Sequence, residues 1–398
     1  MHRMIRHAAI HSLGAVSIAT ILLTPVPVVA EESVSQDRQD NLWQTGIDIR
    51  SGLYASEQES RTGETSSNEN WRTRLRFHAE RSLSPTWTAR GRIAGVYTND
   101  QDQSSAFLRA HAPTRSGLRP GDTTVDELHL GWQPLGADWS LRFGRFQSRA
   151  GIPVVPAKGI DRKDSSNVGV SWTDGIEADY RLTDHWQGQT RLHYNHRRGS
   201  GSVHRAPLDY SDSGSRIGLT QKLENTQPLG PVVLRRLTLT WEPDSLASYG
   251  LDDPRREDYL SLTASGAASW AIGDTGTDFL LAGELGQVRH RPQATVIGSG
   301  DQGRADSSAW QLSANLEQFL PGHRIGVVYG RAGGGWLHSV DYRNNDALFE
   351  IRHQYRFNPT WSMESRFRMR RELEIPVDTS SRRTGQDIYI RFTGRIAP

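Results

Sequence analysis

The sequence contains no cysteine, only three lysines among its 47 basic residues, and no long apolar run after its first 30 residues. The absence of cysteine excludes disulfides, iron–sulfur clusters and thiolate metal sites. No later stretch approaches the roughly 20 apolar residues that a membrane-spanning helix needs. Hydrophobic residues make up 35% of the chain and its mean hydropathy is −0.61, which is low for a soluble domain with a large core.

Residues 1–30 have the layout of a secretory signal peptide. Arg3 and Arg6 precede an apolar centre, and cleavage is predicted after Ala30. Removing this segment takes away two basic residues and no acids, which leaves 45 of each in the mature chain. Because that charge is balanced, the composition does not indicate a nucleic-acid partner.

After a short polar lead at 31–40, residues 41–398 repeat segments of about ten residues in which apolar and polar side chains alternate. A period of two is typical of β-strands, because successive side chains leave a strand on opposite faces. About sixteen strands are predicted, at 42–52, 71–80, 87–97, 125–133, 139–147, 168–182, 186–196, 216–224, 232–241, 258–270, 277–289, 309–319, 324–332, 346–357, 361–371 and 387–396.

The connections between these segments alternate between short turns rich in Pro, Gly, Asp and Asn and polar loops of roughly 12 to 27 residues. With an export signal, this layout predicts an all-β fold: a transmembrane antiparallel β-barrel in the cell outer membrane of a Gram-negative bacterium, with short periplasmic turns and long extracellular loops. Trp87, Trp139, Trp186 and Trp361 each follow a short turn directly. They are predicted to form an aromatic girdle at the periplasmic rim; four unrelated core tryptophans are the alternative.

The segment from Trp71 to Glu80, "WRTRLRFHAE", places arginines at Arg72, Arg74 and Arg76 on one strand face and apolar residues on the other. An arginine facing lipid at the bilayer midplane costs about 2–4 kcal/mol, so three would cost on the order of 6–12 kcal/mol. That sum is comparable to the stability of a whole domain. The arginines are therefore predicted to face a water-filled lumen.

The same alternation assigns further strands and predicts one continuous basic wall, because strands 14 to 16 and 1 to 3 become neighbours when a barrel closes. Glu127, Glu177 and Asp179 are predicted to form an acidic wall across the lumen. Such an arrangement would favour anions along the basic side; a wall of purely structural ion pairs is the alternative. The predicted basic wall comprises Arg50, Arg72, Arg74, Arg76, Arg90, Arg92, Arg352, Arg356, Arg366, Arg368, Arg370, Arg391 and Arg395.

The loop at 148–167 differs from the other polar loops because its centre is apolar. Such a loop is predicted to fold into the barrel and narrow it, although packing on the outer rim or against a neighbouring subunit is the alternative. Its charged residues, and so the candidate constriction residues, are Lys158, Asp161, Arg162, Lys163 and Asp164.

The signal peptide, the sixteen amphipathic segments, the loop at 148–167 and the last strand "DIYIRFTGRI" resemble Gram-negative porins. The arginine row is similar to that of the phosphate-selective porins O and P. This resemblance covers the whole mature chain. It implies passive diffusion of small hydrophilic or anionic solutes through a channel that contacts outer-membrane lipid and lipopolysaccharide, and it implies a homotrimer.

Motifs for catalysis or cofactor binding are weak in this sequence. "GSGDQG" at 298–303 matches G-x-G-x-x-G but precedes a predicted strand, whereas a dinucleotide site needs a strand before it and a helix after it. No H-E-x-x-H or G-x-S-x-G occurs. We therefore predict no catalytic residue, cofactor or metal. A barrel serving as an outer-membrane hydrolase, or as a non-conducting adhesion scaffold, is the alternative function.

Overall fold

The computed structural model describes residues 43–98, 123–148, 151–152, 154–162, 170–195, 205–210, 215–274, 276–300, 302–377 and 379–397. The signal peptide at 1–30 and the lead at 31–40 lie outside these ranges and stay predictions. The described elements are β1 (Gln44–Glu59), β2 (Thr65–Ser84), β3 (Trp87–Thr98), β4 (Thr123–Trp132), β5 (Trp139–Phe146), β6 (Thr173–Arg181), β7 (Trp186–Tyr194), β8 (Ile217–Asn225), β9 (Val232–Leu246), β10 (Glu257–Ile272), β11 (Thr277–Val288), α1 (Ala294–Ile297), β12 (Ser308–Leu320), β13 (His323–Ala332), β14 (Asp346–Arg356), β15 (Trp361–Glu372) and β16 (Thr384–Ile396).

The sixteen strands form one closed antiparallel barrel in which every strand pairs with its neighbours along the chain. Closure comes from β1 and β16, which are in register from the pair Ile47 and Ile396 to the pair Glu59 and Thr384. Because the sheet has no free edge, all backbone groups of the wall can bond within the protein. This topology confirms the predicted all-β barrel.

Strand boundaries agree best with the sequence pattern at the short-turn end of the barrel. The prediction that residues 53–70 form a long loop is wrong: β1 continues to Glu59, β2 begins at Thr65, and only residues 60–64 connect them. The extension was missed because polar residues occupy both faces of this hairpin, which removes the alternation that marks a half-buried strand.

The outer face of the barrel is apolar. Large hydrophobic side chains at alternate strand positions are 36–68% exposed; those on β16 include Ile388 and Ile390. The four tryptophans of the predicted girdle open β3, β5, β7 and β15, all at the short-turn end. Trp132 joins them, with ring centroids 5.8 Å from Trp87 and 5.1 Å from Trp139. In the part of the chain that the structure describes, no helix is long and apolar enough to span a bilayer.

Candidate functional site

The strand register places all thirteen arginines of the predicted basic wall on the inner face. Directly opposed residues in neighbouring strands share a face, and Arg50 of β1 lies opposite Arg74 of β2. Arg352 of β14 likewise lies opposite Arg366 of β15. Following these pairs around β14, β15, β16, β1, β2 and β3 gives one uninterrupted inner surface, which we call the basic wall.

The basic wall carries more positive than negative charge. Against its thirteen arginines, the inner face of the same six strands holds seven carboxylates, which leaves an excess of six positive charges. These seven are Asp48, Glu80, Asp346, Glu350, Glu364, Glu372 and Asp387. Many arginines therefore share a carboxylate with another arginine: Glu364 accepts a hydrogen bond from Arg391 at 2.8 Å and lies 3.4 Å from Arg352.

Two tyrosines on the wall help to keep these crowded guanidinium groups in place. Tyr54 and Tyr389 lie side by side with ring centroids 5.2 Å apart. The guanidinium carbon of Arg366 lies 4.1 Å from the centre of the Tyr389 ring, and that of Arg72 lies 5.3 Å from the Tyr54 ring. Cation–π contacts of this kind stabilise a cation without adding a negative charge beside it.

The structure places Glu127 beside the basic wall, which corrects the expectation that it faces the wall from across the lumen. β4 pairs with β3, and Glu127 forms ion pairs with Arg90 at 2.7 Å and Arg92 at 2.8 Å. A β-bulge leaves Asp126 without an opposite residue, so two consecutive acids turn inward. The fully buried Asp126 pairs with Arg76 and Arg92, both at 2.9 Å.

The opposite half of the barrel, from β4 to β13, has the reverse charge balance. Glu177 is fully buried and pairs with Arg142 and Arg191, and Asp179 accepts a hydrogen bond from Gln189 at 2.7 Å. Asp126 and Glu127 of β4 pair with arginines of the basic wall and lower its excess to four positive charges. The other inner-face residues of these strands include at least seven carboxylates against six cations. The carboxylates are Glu177, Asp179, Glu224, Glu242, Asp278, Glu284 and Glu317, and the cations are Arg142, Arg181, Arg191, Lys222, Arg236 and Arg324.

The loop between β5 and β6 lies inside the barrel over its described residues. Ile152 and Val154 pack against Leu234, Ala267 and Leu280, all from the inner face of β9 to β11. These inner-face positions are apolar, so contact with them removes the apolar centre of the loop from water. We call the described residues 151–152 and 154–162 the inner loop.

Polar groups of the wall satisfy the backbone of the inner loop. Val155 donates its N–H to Asn315 Oδ1 at 3.1 Å, and Ile160 donates to Glu284 Oε2 at 2.8 Å. Gln311 Nε2 donates to the carbonyl of Lys158 at 3.0 Å. Buried backbone groups need such partners, so these three side chains fix both the depth and the direction of the loop.

Lys158 holds the tip of the inner loop against the basic wall. Its ammonium group lies 2.9 Å from Asp341 and 3.4 Å from Glu350, and all three side chains are buried. Arg162 lies 3.6 Å from the same Asp341 carboxylate. Asp161 is also buried. The other two predicted constriction residues, Lys163 and Asp164, lie outside the described residues.

A second loop, residues 333–345 between β13 and β14, shares the interior with the inner loop. Its Trp336 and Tyr342 are fully buried. Trp336 Nε1 donates to the carbonyl of Ile160 at 2.6 Å, and Ser339 Oγ donates to the carbonyl of Gly159 at 2.9 Å. The sequence reasoning missed this loop, although an apolar Trp-Leu pair after three glycines in an otherwise polar connection was a signal.

Two cavities lie along the basic wall, one at each end. The long-loop chamber, of about 560 Å³, is lined by residues of the β1–β2 hairpin, β15 and β16. The short-turn chamber, of about 650 Å³, is lined by Arg50, Arg391 and the turn residues 358–360. Lys158 and Arg366 line both chambers and therefore lie between them; we call this position the neck.

Within the described ranges, no group of three or more His, Asp or Glu side chains is arranged to hold a metal ion. The "GSGDQG" stretch follows α1, a helix of only four residues, and precedes β12. A dinucleotide site would need the opposite order.

No known protein-family model matches the sequence, and no curated protein matches it. Solved structures of similar fold include OprB of Pseudomonas putida, with 9% identity and a TM-score of 0.57 over 90% of this chain and 96% of that chain. OccK9 (OpdG) of Pseudomonas aeruginosa has 11% identity and a TM-score of 0.56 over 89% and 98%. A BenF-like porin of Pseudomonas fluorescens Pf-5 has 11% identity and a TM-score of 0.54 over 89% and 99%. At these identities the likeness shows the fold alone, a closed sixteen-strand barrel.

Proposed function

We propose that this protein is a passive outer-membrane porin whose lumen favours small hydrophilic anions. The observation that carries the proposal is the charge of the basic wall, thirteen arginines against seven carboxylates along the strands that line both chambers. An apolar outer face with a charged inner face is the arrangement of a water-filled transmembrane barrel.

The opposite signs of the two halves give the lumen a transverse field. Anions are attracted to the basic wall and cations to the other half, but the inner loop and the loop at 333–345 fill space on that other half. Solutes therefore pass along the arginines, and the neck at Lys158 and Arg366 is the narrow point where a passing ion meets the protein charge most closely.

The proposal includes the surroundings of the channel. Its signal peptide directs it to the cell outer membrane, its outer face contacts lipid and lipopolysaccharide, and three copies associate as a homotrimer, as the resemblance to porins implies. The similarity of the arginine row to the phosphate-selective porins O and P makes phosphate one candidate solute. Transport is passive, and the protein is not an enzyme.

Planar-bilayer recording of the purified barrel tests this function. Stepwise conductance is expected, with a reversal potential in a KCl gradient that shows chloride permeating better than potassium. Arg368→Gln should lower this preference because Arg368 lines the long-loop chamber. Arg371→Gln is the matched control, since Arg371 lies on the outer face of the same strand.

A cation preference in the wild-type barrel would contradict the proposed selectivity. A barrel without conductance would contradict the channel itself. If such a barrel had lipase or protease activity that a single Ser or His substitution removed, the alternative of an outer-membrane hydrolase would replace the porin.

A further inference from the structure

The long-loop chamber differs chemically from the short-turn chamber. One side of it is the inner face of the β1–β2 hairpin, where Ser56 lies opposite Asn68 and Gln58 lies opposite Ser66. These four side chains form a neutral patch of hydroxyl and amide groups on two adjacent strands. We call it the hydroxyl–amide patch.

The side of the chamber next to this patch, formed by β15 and β16, is cationic. Arg368 and Arg366 both pair with the carboxylate of Asp387. Arg366 also lies 4.0 Å from Glu350, but Arg352 and Lys158 share that carboxylate, so cations outnumber carboxylates at this point. Arg368 is more accessible than Arg366, with 21% of its side chain exposed against 6%. With Arg370 at 11%, Arg368 is the most accessible guanidinium group that β15 contributes to the chamber.

The register fixes the separation between the neutral and cationic sides. Ser56 lies opposite Asp387 on β16, and Asp387 lies opposite Arg368 on β15. Two strand spacings of about 4.8 Å place the Ser56 and Arg368 backbones about 10 Å apart. In the next row, Gly385 stands between Gln58 and Arg370 and has no side chain to fill the space.

We infer that the long-loop chamber recognises hydroxyl-rich anions, that is, sugar acids or sugar phosphates. This inference rests on the proposed porin function and names the solute class that its outer chamber selects. The charged end of such a solute forms charge-assisted hydrogen bonds to Arg368. Its hydroxyl groups, some 5–8 Å away along the carbon chain, reach the hydroxyl–amide patch, whose groups both donate and accept hydrogen bonds.

A simple anion uses only one side of this chamber and a neutral sugar alcohol only the other. A solute with both features gains one or two additional net hydrogen bonds, which corresponds to roughly tenfold tighter binding. Inorganic phosphate meets the arginines but is too short to contact the hydroxyl–amide patch at the same time.

Block of chloride current by added solutes in planar bilayers tests the inference. Gluconate is compared with hexanoate, which has the same chain length and charge without hydroxyls, and with sorbitol, which has the hydroxyls without the charge. The half-blocking concentration of gluconate should be about tenfold lower than that of either control. Phosphate should block no better than hexanoate.

Variants separate the two sides of the chamber. The double variant Ser56→Ala, Ser66→Ala should remove the advantage of gluconate over hexanoate. Arg368→Gln should weaken block by gluconate and hexanoate equally. The matched control Ser82→Ala, Ser140→Ala removes two inner-face serines at the short-turn end. It should change neither the block by gluconate nor the block by hexanoate.

Three outcomes would overturn the inference while the proposed function stands: an anion-selective channel that gluconate blocks no better than hexanoate, block by phosphate as strong as by gluconate, or a gluconate advantage that persists without Ser56 and Ser66. A channel that prefers cations, or a barrel that does not conduct, would instead remove the proposed function and this inference with it.

Discussion

Replacing Lys158 by methionine removes one positive charge from the neck and keeps a side chain of similar length. Two unit charges about 4 Å apart interact by about 1 kcal/mol in bulk water and about 4 kcal/mol at an effective dielectric constant of 20. Taking the lower figure, because the passing ion keeps part of its hydration shell, the preference for anions should fall about fivefold, since 1.4 kcal/mol corresponds to tenfold. The barrel should persist because Asp341 keeps Arg162 at 3.6 Å and a hydrogen bond from the Gly159 N–H at 3.2 Å.

The assay is the reversal potential of single channels in a tenfold KCl gradient. Lys158→Arg keeps the charge and should preserve the wild-type selectivity. Lys222→Met is the matched control, since Lys222 is an inner-face lysine of β8 that lines neither chamber. If both methionine variants lower anion preference equally, or if neither does, the assignment of the neck to Lys158 is wrong.

The charge of Lys158 should also make the selectivity depend on pH. Burial lowers the pKa of this loop lysine to about 8, although the nearby Asp341 and Glu350 carboxylates oppose the shift. Anion preference should therefore decline between pH 7 and pH 9 in the wild type and stay constant in Lys158→Arg. An unfolded lysine has a pKa of about 10.4, so between the two values the unfolded chain binds more protons. The contribution of Lys158 to the free energy of unfolding therefore increases with pH in this range. The expected decline in anion preference is thus not caused by unfolding of the barrel.

Two further substitutions test the packing of the lumen. A Cβ at Gly286 would lie 2.4 Å from the buried Trp336 ring, so Gly286→Val should displace the inner loop and the loop at 333–345 and raise single-channel conductance. Gly283→Ala on the same strand should leave conductance unchanged, because the nearest atom to its Cβ would be 3.4 Å away. Equal conductance in both variants would contradict this packing. Asp126→Asn leaves two buried arginines without their shared carboxylate and should destabilise the barrel by about 3–5 kcal/mol. A thermal unfolding midpoint in detergent no lower than that of Asp138→Asn, which alters an exposed ion pair, would refute that role.

The barrel and the faces of its strands could be predicted because alternation with a period of two survives in sequence wherever one face meets lipid and the other meets water. The arginines at Arg72, Arg74 and Arg76 are a clear case, since their cost in lipid leaves only one orientation. The part of the β1–β2 hairpin at residues 53–70 could not be predicted in the same way. Both of its faces are polar, so the alternation of apolar and polar side chains disappears there.

Ion-pair partners were less predictable than strand faces. The bulge at Asp126 adds one residue to β4 and brings Asp126 and Glu127 inward together, which no regular alternation allows. The contact of Lys158 with Asp341 joins two loops that are 183 residues apart in sequence. Spacing along the chain carries no information about such a pair, because it depends on how deeply each loop enters the barrel.

The inner loop also constrains the order in which the barrel can be assembled. It leaves the wall after β5, yet its partners are supplied by β9 to β12, by the loop after β13 and, through Glu350, by β14. The inner loop therefore has no docking surface until β9 to β14 are in place, whichever end of the chain enters the membrane first. Seating of the loop thus depends on the assembly of strands that follow it in the chain by some 70 to 190 residues.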